Sequence, residues 1–332
     1  MNITPAKWLD VLRAEYLQGF VRNGGAAVKV TVVSEEIDRS EVLRNLNKIA
    51  EEEGFFFAGI DAAKTKVHMI DHIFHEVARQ VDWDGLARAF IYHLLERNGL
   101  SVPSDPDEFH LRGIAAVNGR DEILFRQDFT RWLEQGLFHD YDMCYEFRLA
   151  MIWLCRSQVD RGALAPHIPG AIHEWLRGEL RLISALKGAL ISQKVARHNA
   201  RDILFSLAHW LKLARQSGLV LALDVSRCLE VKPRTQPDDM LYYSTPAVLD
   251  AYEVLRQFID GTDEVGNCLI CVFTTPEFVR SEKRGMKKYV ALWQRIEDEV
   301  RDKRRANPLA AMVRISNRTE DRVAARAEED VL

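Results

Sequence analysis

The sequence contains no apolar run approaching the ~20 residues that a membrane-spanning helix requires, so nothing in it reads as a bilayer segment. Neither sign of charge dominates: 45 Lys and Arg stand against 49 Asp and Glu, a net charge of -4. The whole molecule is therefore not a generic polyanion binder, and a role on nucleic acid would need a local basic patch. Cysteine is sparse, with five residues scattered along the chain. That odd number suits reduced thiols in a cytoplasm. The opening Met1-Asn2-Ile3-Thr4-Pro5 lacks a basic start followed by an apolar stretch, so no signal peptide is expected, and the expected location is cytoplasmic. No internal repeat, no H-E-x-x-H pattern and no Ser/His/Asp or Cys/His nucleophile constellation stands out.

What is present is ordinary globular material: 332 residues, 47% hydrophobic and 28% charged, enough for one or two domains. Residues 5–20 read as an amphipathic helix, with Thr4 and Pro5 as cap and first-turn residue. The β-branched alternation Val28-Lys29-Val30-Thr31-Val32-Val33 reads as a strand. Ser34 is expected to cap the next helix, which carries Val42, Leu43, Leu46 and Ile49. Three apolar runs read as buried strands: one beginning at Phe55, one ending at Asp224, and Cys268-Leu269-Ile270-Cys271-Val272-Phe273-Thr274. Between residues 83 and 216 the chain is largely helical, with Trp132, Trp153, Trp175 and Trp210 expected to pack that region. Residues 289–300 read as a helix and 311–315 as a short last strand. Apolar strands separated by helices imply a mainly parallel sheet covered on both faces. The expected organisation is an N-terminal segment 1–54, a domain over 55–315 with a helical insertion at about 83–216, and a frayed tail over 316–332.

The stretch Phe57-Ala58-Gly59-Ile60-Asp61-Ala62-Ala63-Lys64-Thr65 has the layout strand, loop, Lys-Thr, helix. That is the order of a phosphate-binding loop, G-x-x-x-x-G-K-[ST]. Such a loop works through backbone N–H groups aimed at phosphates, and glycine lets the phosphate approach. Here Ala58 and Ala63 replace the glycines, while Lys64 and Thr65 keep the places of the phosphate lysine and the Mg2+-ligating hydroxyl. The competing reading is a plain strand-to-helix turn with a solvated lysine. Asp224, ending an apolar strand, matches the carboxylate that holds Mg2+ in such proteins. Val225 follows where a glutamate base commonly stands. A strand-end cap is the plainer account of Asp224.

With these segments in view, Gly218-Leu219-Val220-Leu221-Ala222-Leu223-Asp224 and residues 175–179, 200–204, 251–260, 273–278 and 289–296 resemble the P-loop ATP-binding proteins of BREX-type phage-defence systems. The resemblance covers the C-terminal half, and the N-terminal half only around 35–75. It implies an α/β, P-loop NTPase-like (AAA-like) fold with a large helical insertion, and an anti-phage role beside helicases, methylases or other defence proteins, with a helicase or nuclease as the expected binding partner. It also implies ATP and Mg2+ as cofactors, with Lys64, Thr65, Asp224 and Thr274 as nucleotide contacts. Thr65 and Asp224 would be the metal ligands, and Thr274 or Thr275 would sit where such ATPases sense the γ-phosphate. A strand-end hydroxyl capping the next turn accounts for those threonines equally well. The missing glycines and the Val225 position point instead to a degenerate ATPase that acts by binding protein partners.

Two alternatives stay open. One is a working ATPase with its base supplied by Glu253 or a partner subunit. The other is a nucleic-acid-binding subunit using the basic runs Arg280, Lys283, Arg284, Lys287, Lys288 and Arg301, Lys303, Arg304, Arg305. Interleaved acids make a solvated, salt-bridged face the plainer reading of both runs. One of these arginines could also reach a neighbouring subunit's nucleotide. His68, His72 and His75 share a helical face but show no fourth ligand. Cys268 and Cys271, three apart in a strand, point to opposite faces and read as packed thiols.

Overall fold

The computed structural model describes residues 2–160, 166–231, 239–297 and 307–317. The first elements in chain order are helix α1 (Pro5–Val11), a π-helical continuation (Leu12–Phe20), strand β1 (Ala26–Val33), α2 (Arg39–Glu52) and β2 (Phe56–Asp61). Then come α3 (Ile70–Gln80), α4 (Trp83–Arg97), α5 (Leu111–Val117), α6 (Glu122–Leu133), α7 (Tyr145–Val159), α8 (His167–Arg177) and α9 (Ala200–Leu213). The chain finishes with β3 (Leu219–Asp224), α10 (Thr245–Asp260), β4 (Cys268–Thr274), α11 (Glu277–Arg280), α12 (Val290–Ile296) and β5 (Met312–Ile315). Two compact units result, one from residues 1–73 and 217–332 and the other from residues 74–216.

The first unit is built on a five-stranded sheet in the order β2-β3-β4-β1-β5. All four pairings are parallel, so the expected α/β class with a parallel sheet is what the chain forms. The apolar runs explain this. Every residue of β4 is buried, as is all of β3 up to Asp224, and strands buried on both faces belong in parallel sheets. Alternation then divides the side chains between faces. Val220, Ala222, Leu269, Cys271 and Phe273 join one core with Trp8, Leu12, Leu17, Val42 and Leu46 from α1, the π segment and α2. Trp8 meets Phe273 edge to face, with ring centroids 5.8 Å apart. Strand β1, within the segment expected to stand ahead of the main domain, lies inside the sheet and pairs with β4 on one edge and β5 on the other.

A buried lysine secures the β5 side. Lys29 on β1 is 3% exposed, and its Nζ donates to the carbonyls of Leu309 at 2.5 Å and Ala310 at 2.7 Å. The ammonium also lies over the Tyr16 ring, 4.9 Å from its centroid. A charge so far from water needs such partners.

The helix predicted to open at a Ser34 cap opens later. Asp38 is the cap, its carboxylate accepting the Ser40 N–H at 2.9 Å. A carboxylate satisfies an orphan N–H and the positive helix end together, which a hydroxyl does less well. The last predicted helix is observed over Val290–Ile296, and its expected continuation to Val300 lies outside the described residues. So does the predicted tail from residue 318 onward.

The second unit is helical, as the sequence between 83 and 216 implies. Within it α4 packs along α7, with Trp83 edge-on to Phe147 and Phe90 stacked at a tilt on Trp210. Trp175 and Trp210 are buried, while Trp132 and Trp153 remain half-exposed. No described helix is long and apolar enough to cross a membrane.

Gly218 leads the chain into β3 at φ 139°, and a Cβ there would lie 2.1 Å from the Asn267 carbonyl oxygen. Both the backbone angle and the close approach demand glycine. Gly218→Ala should lower unfolding free energy by about 2 kcal/mol or more, read as a reduced midpoint in urea with an unchanged slope.

Candidate functional site

The chain leaves β1 toward β2 on one side of the sheet and leaves β4 toward β5 on the other. Neighbouring parallel strands whose connections depart in opposite directions open a crevice at their carboxyl ends, where open α/β sheets hold ligands. Three features meet the carboxyl end of the sheet there: the loop 34–38 after β1, Asp224 at the end of β3 and Thr274 at the end of β4. Thr274 pairs in register with Val32, and Asp224 with Phe273.

The loop after β1 runs Ser34-Glu35-Glu36-Ile37-Asp38 into α2. Counted from Val33, the spacing G-x-x-x-x-G-K-[ST] falls on Asp38 for the second glycine, Arg39 for the lysine and Ser40 for the hydroxyl residue. Strand, loop and helix N-terminus are in place here, but the chemistry is inverted. Glu35, Glu36 and Asp38 carry negative charge where a phosphate would approach. Asp38 has already taken the Ser40 N–H, and its other oxygen lies 3.6 Å from Arg44. Glu36 accepts a hydrogen bond from the Ser316 hydroxyl at 2.7 Å.

Arg39 turns to the end of β3, where its Nε donates to Asp224 Oδ2 at 3.2 Å. The side chains are 32% and 17% exposed, so the pair is partly shielded from water. The other carboxylate oxygen accepts the Ser226 N–H at 3.0 Å and the Ser226 hydroxyl. Both oxygens of Asp224 are thus committed within the protein. Val225, the next residue, is buried and spends its N–H on the Phe273 carbonyl at 2.9 Å, and it has no group that could activate water.

The other residues singled out in the sequence are distributed as follows. Lys64 and Thr65 sit in a turn after β2, a strand at the sheet edge, and do not open a helix, since α3 begins only at Ile70. The turn satisfies its own N–H groups. Ala63 N–H bonds Asp61 Oδ1 at 2.8 Å, and the N–H groups of Lys64 and Thr65 bond the Asp61 carbonyl at 3.0 and 2.9 Å. The Tyr243 hydroxyl lies within hydrogen-bonding reach of the Ala62 and Thr65 carbonyls. Lys64 is exposed and makes no side-chain bond among the described residues, whereas Thr65 is buried. Thr274 is fully buried and its hydroxyl has no partner among them. Sequence reading missed Arg39 and Asp38. The signal available was the acid Asp38 followed three residues later by Glu41, a helix-start pattern.

Glu253, the alternative base, is occupied. It accepts bonds from Arg256 through both oxygens, from Gln257 and from the Tyr289 hydroxyl. The Arg256 guanidinium, with the Tyr289 and Gln257 hydrogen bonds, holds its carboxyl down to about 2 against the opposing effect of burial. A base that weak is poorly matched to proton transfer near neutrality. Arg256 and Arg295 both also bind Asp260, so this is an ion network bracing α10 against α12.

Cys268 and Cys271 are free, fully buried thiols, each pushed up to about 12 by burial. His68 lies edge-on to Tyr243, and His75 Nδ1 is bonded to the Leu176 carbonyl at 3.0 Å. Among the described residues, the one group spaced to gather around a metal ion is Asp140, Asp142 and His209 in the helical unit. In the first basic run, Arg284 donates to the Cys228 and Glu230 carbonyls and Lys287 lies over the Trp293 ring. Arg301, Lys303, Arg304 and Arg305 lie outside the described residues.

Residues 167–329 match the sequence model of a family described as the BREX system ATP-binding protein BrxC/D. The matched stretch takes in β3, β4 and β5 and leaves β1 and β2 outside it. No curated protein and no solved structure matches.

Two outcomes follow from the ion pairs. Arg39→Ala should lower stability by about 1 kcal/mol, the scale of a partly exposed pair. Asp224→Ala should lower it further, because the Ser226 bonds go as well, and thermal melting of both variants checks the order. Glu253 has a folded-state pKa below its unfolded value, so its contribution is present above the unfolded pKa and is lost as pH falls toward about 2. Urea melts from pH 5 down to pH 2 should show a smaller acid loss in Glu253→Gln than in the native chain.

Proposed function

We propose, from the match of residues 167–329 to the BREX system ATP-binding family, that the chain is a subunit of a bacterial BREX-type anti-phage defence complex that keeps the ATPase architecture without turning over ATP. It acts by binding protein partners of the same system, a helicase or nuclease among them, through surfaces that an active ATPase uses for coupling.

The observation that carries this reading is the Arg39–Asp224 ion pair at the switch point of the sheet. A nucleotide site there needs N–H groups free for phosphate, a cation free to follow it and a carboxylate open to Mg2+. In this chain Asp38 takes a leading N–H, and the guanidinium and the carboxylate neutralise each other. The loop between them carries two further acids, Glu35 and Glu36. Hydrolysis also needs a base to orient water, and Val225 and the tied Glu253 both weigh against one. ATP and Mg2+ are then vestigial ligands of this fold. Lys64, Thr65, Asp224 and Thr274 are the residues through which a residual contact would run, with Thr65 and Asp224 at the metal.

Calorimetric titration of the native chain with MgATP and MgADP tests the proposal, with Lys64→Ala alongside. The expected result is no saturable heat from either protein. Saturable binding by the native chain that disappears in Lys64→Ala would identify a live nucleotide site at the turn after β2. ATP turnover at a rate ordinary for an ATPase would overturn the proposal outright.

A further inference from the structure

The helical unit holds a cavity of about 280 Å³ between α6, α7 and the turn at 188–190. Its apolar wall includes Leu133, Leu149, Ile152 and Trp153. Two charged residues of opposite sign, Glu134 and Arg156, also line it. They form no ion pair with each other, and neither side chain has a hydrogen-bonding or ionic partner among the described residues. Arg156 is partly buried and Glu134 is exposed, so both charges are open to a ligand entering the cavity. The indole N–H of Trp153 is likewise without a partner among the described residues.

Two backbone irregularities border the same cavity. The helix α6 widens into a π-turn over Glu134–Phe138, which carries Glu134 to the wall. Such turns recur at functional sites because they re-aim side chains. Across the cavity, Leu190 adopts φ 60°, an uncommon conformation for a residue with a Cβ.

We propose that this cavity binds a small apolar amino acid in its zwitterionic form. The Arg156 guanidinium takes the carboxylate, Glu134 takes the ammonium, and the apolar wall takes the side chain. The charges explain the choice: two unpaired opposite charges on one cavity wall suit a ligand that carries both. Size agrees, because at ~30 Å³ for each displaced water the volume admits roughly ten non-hydrogen atoms, the size of leucine or phenylalanine. A peptide terminus supplies only one of the two charges. Sites of this kind are apolar with a few placed polar groups. The proposal is independent of the nucleotide question, since every residue in it lies within 133–190.

The test is calorimetric titration of the native chain with L-leucine and L-phenylalanine, beside N-acetyl-L-phenylalanine and L-phenylalaninamide. The expected result is saturable binding of at least one free amino acid, weakened tenfold or more when either charge of the ligand is blocked. Arg156→Ala should lose affinity for the free amino acid and leave the amide unchanged, while Glu134→Gln should do the converse with the N-acetyl form. Because both residues are at least partly exposed, the variants should keep the native circular dichroism spectrum, and the ligand comparison on the native chain stands without them. No saturable binding of either amino acid, or equal affinity for free and blocked ligands, would overturn the proposal.

Discussion

Strand β1 is held along both edges, and the architecture of the sheet unit depends on that double pairing. Seven residues of β1 lie in register with β4 and four with β5. Because every neighbour is parallel, all five strands end at the same edge of the sheet, and the loops that follow them gather there. A strand in the middle must be apolar on both faces or compensate for what is not. Lys29 is the charged exception in β1, and its ammonium is paired with two carbonyls of the segment entering β5. The charge that would otherwise oppose burial thus ties the last strand to the middle of the sheet.

The same double pairing determines what kind of site the fold can offer. With β1 beside β4, the loop 34–38 and the ends of β3 and β4 meet at the switch point. A phosphate site uses that meeting place with positive charge and bare N–H groups. This chain furnishes acids in the loop, and Arg39, in the place of the phosphate lysine, is turned onto Asp224. The charges at that meeting place are balanced internally, so an incoming anion would have to displace a carboxylate partner as well as its own water. That electrostatic inversion, more than the absence of any single residue, distinguishes the loop 34–38 from a phosphate-binding loop.

Much of this was legible locally. Buried runs at 219–224 and 268–274 announce parallel strands, because only a sheet covered on both faces accepts such continuous apolar sequence. Asp224 and Thr274 stand out as polar residues at the ends of those runs, and both are found at the carboxyl edge of the sheet. The turn at Ala62–Thr65 shows where local pattern falls short. Strand, turn and Lys-Thr are all present, yet the N–H groups of Ala63, Lys64 and Thr65 are consumed by Asp61, and α3 starts six residues after Lys64. Spacing along the chain does not reveal whether an N–H is free.

The sequence by itself determined the class of fold, the helical character of residues 83–216, the burial of the thiols and the apolar strands with their terminal polar groups. These follow from short-range periodicity and from the hydrophobic effect acting on nearby residues. Tertiary structure alone decided the order of the strands. Order is settled by hydrogen bonds between segments far apart in the chain, and neither partner's periodicity names the other. That order brings Arg39 to Asp224 across 185 residues. The state of the candidate site is therefore a property of the folded sheet, where a cation and an anion with no local relation become nearest neighbours in a region of reduced water.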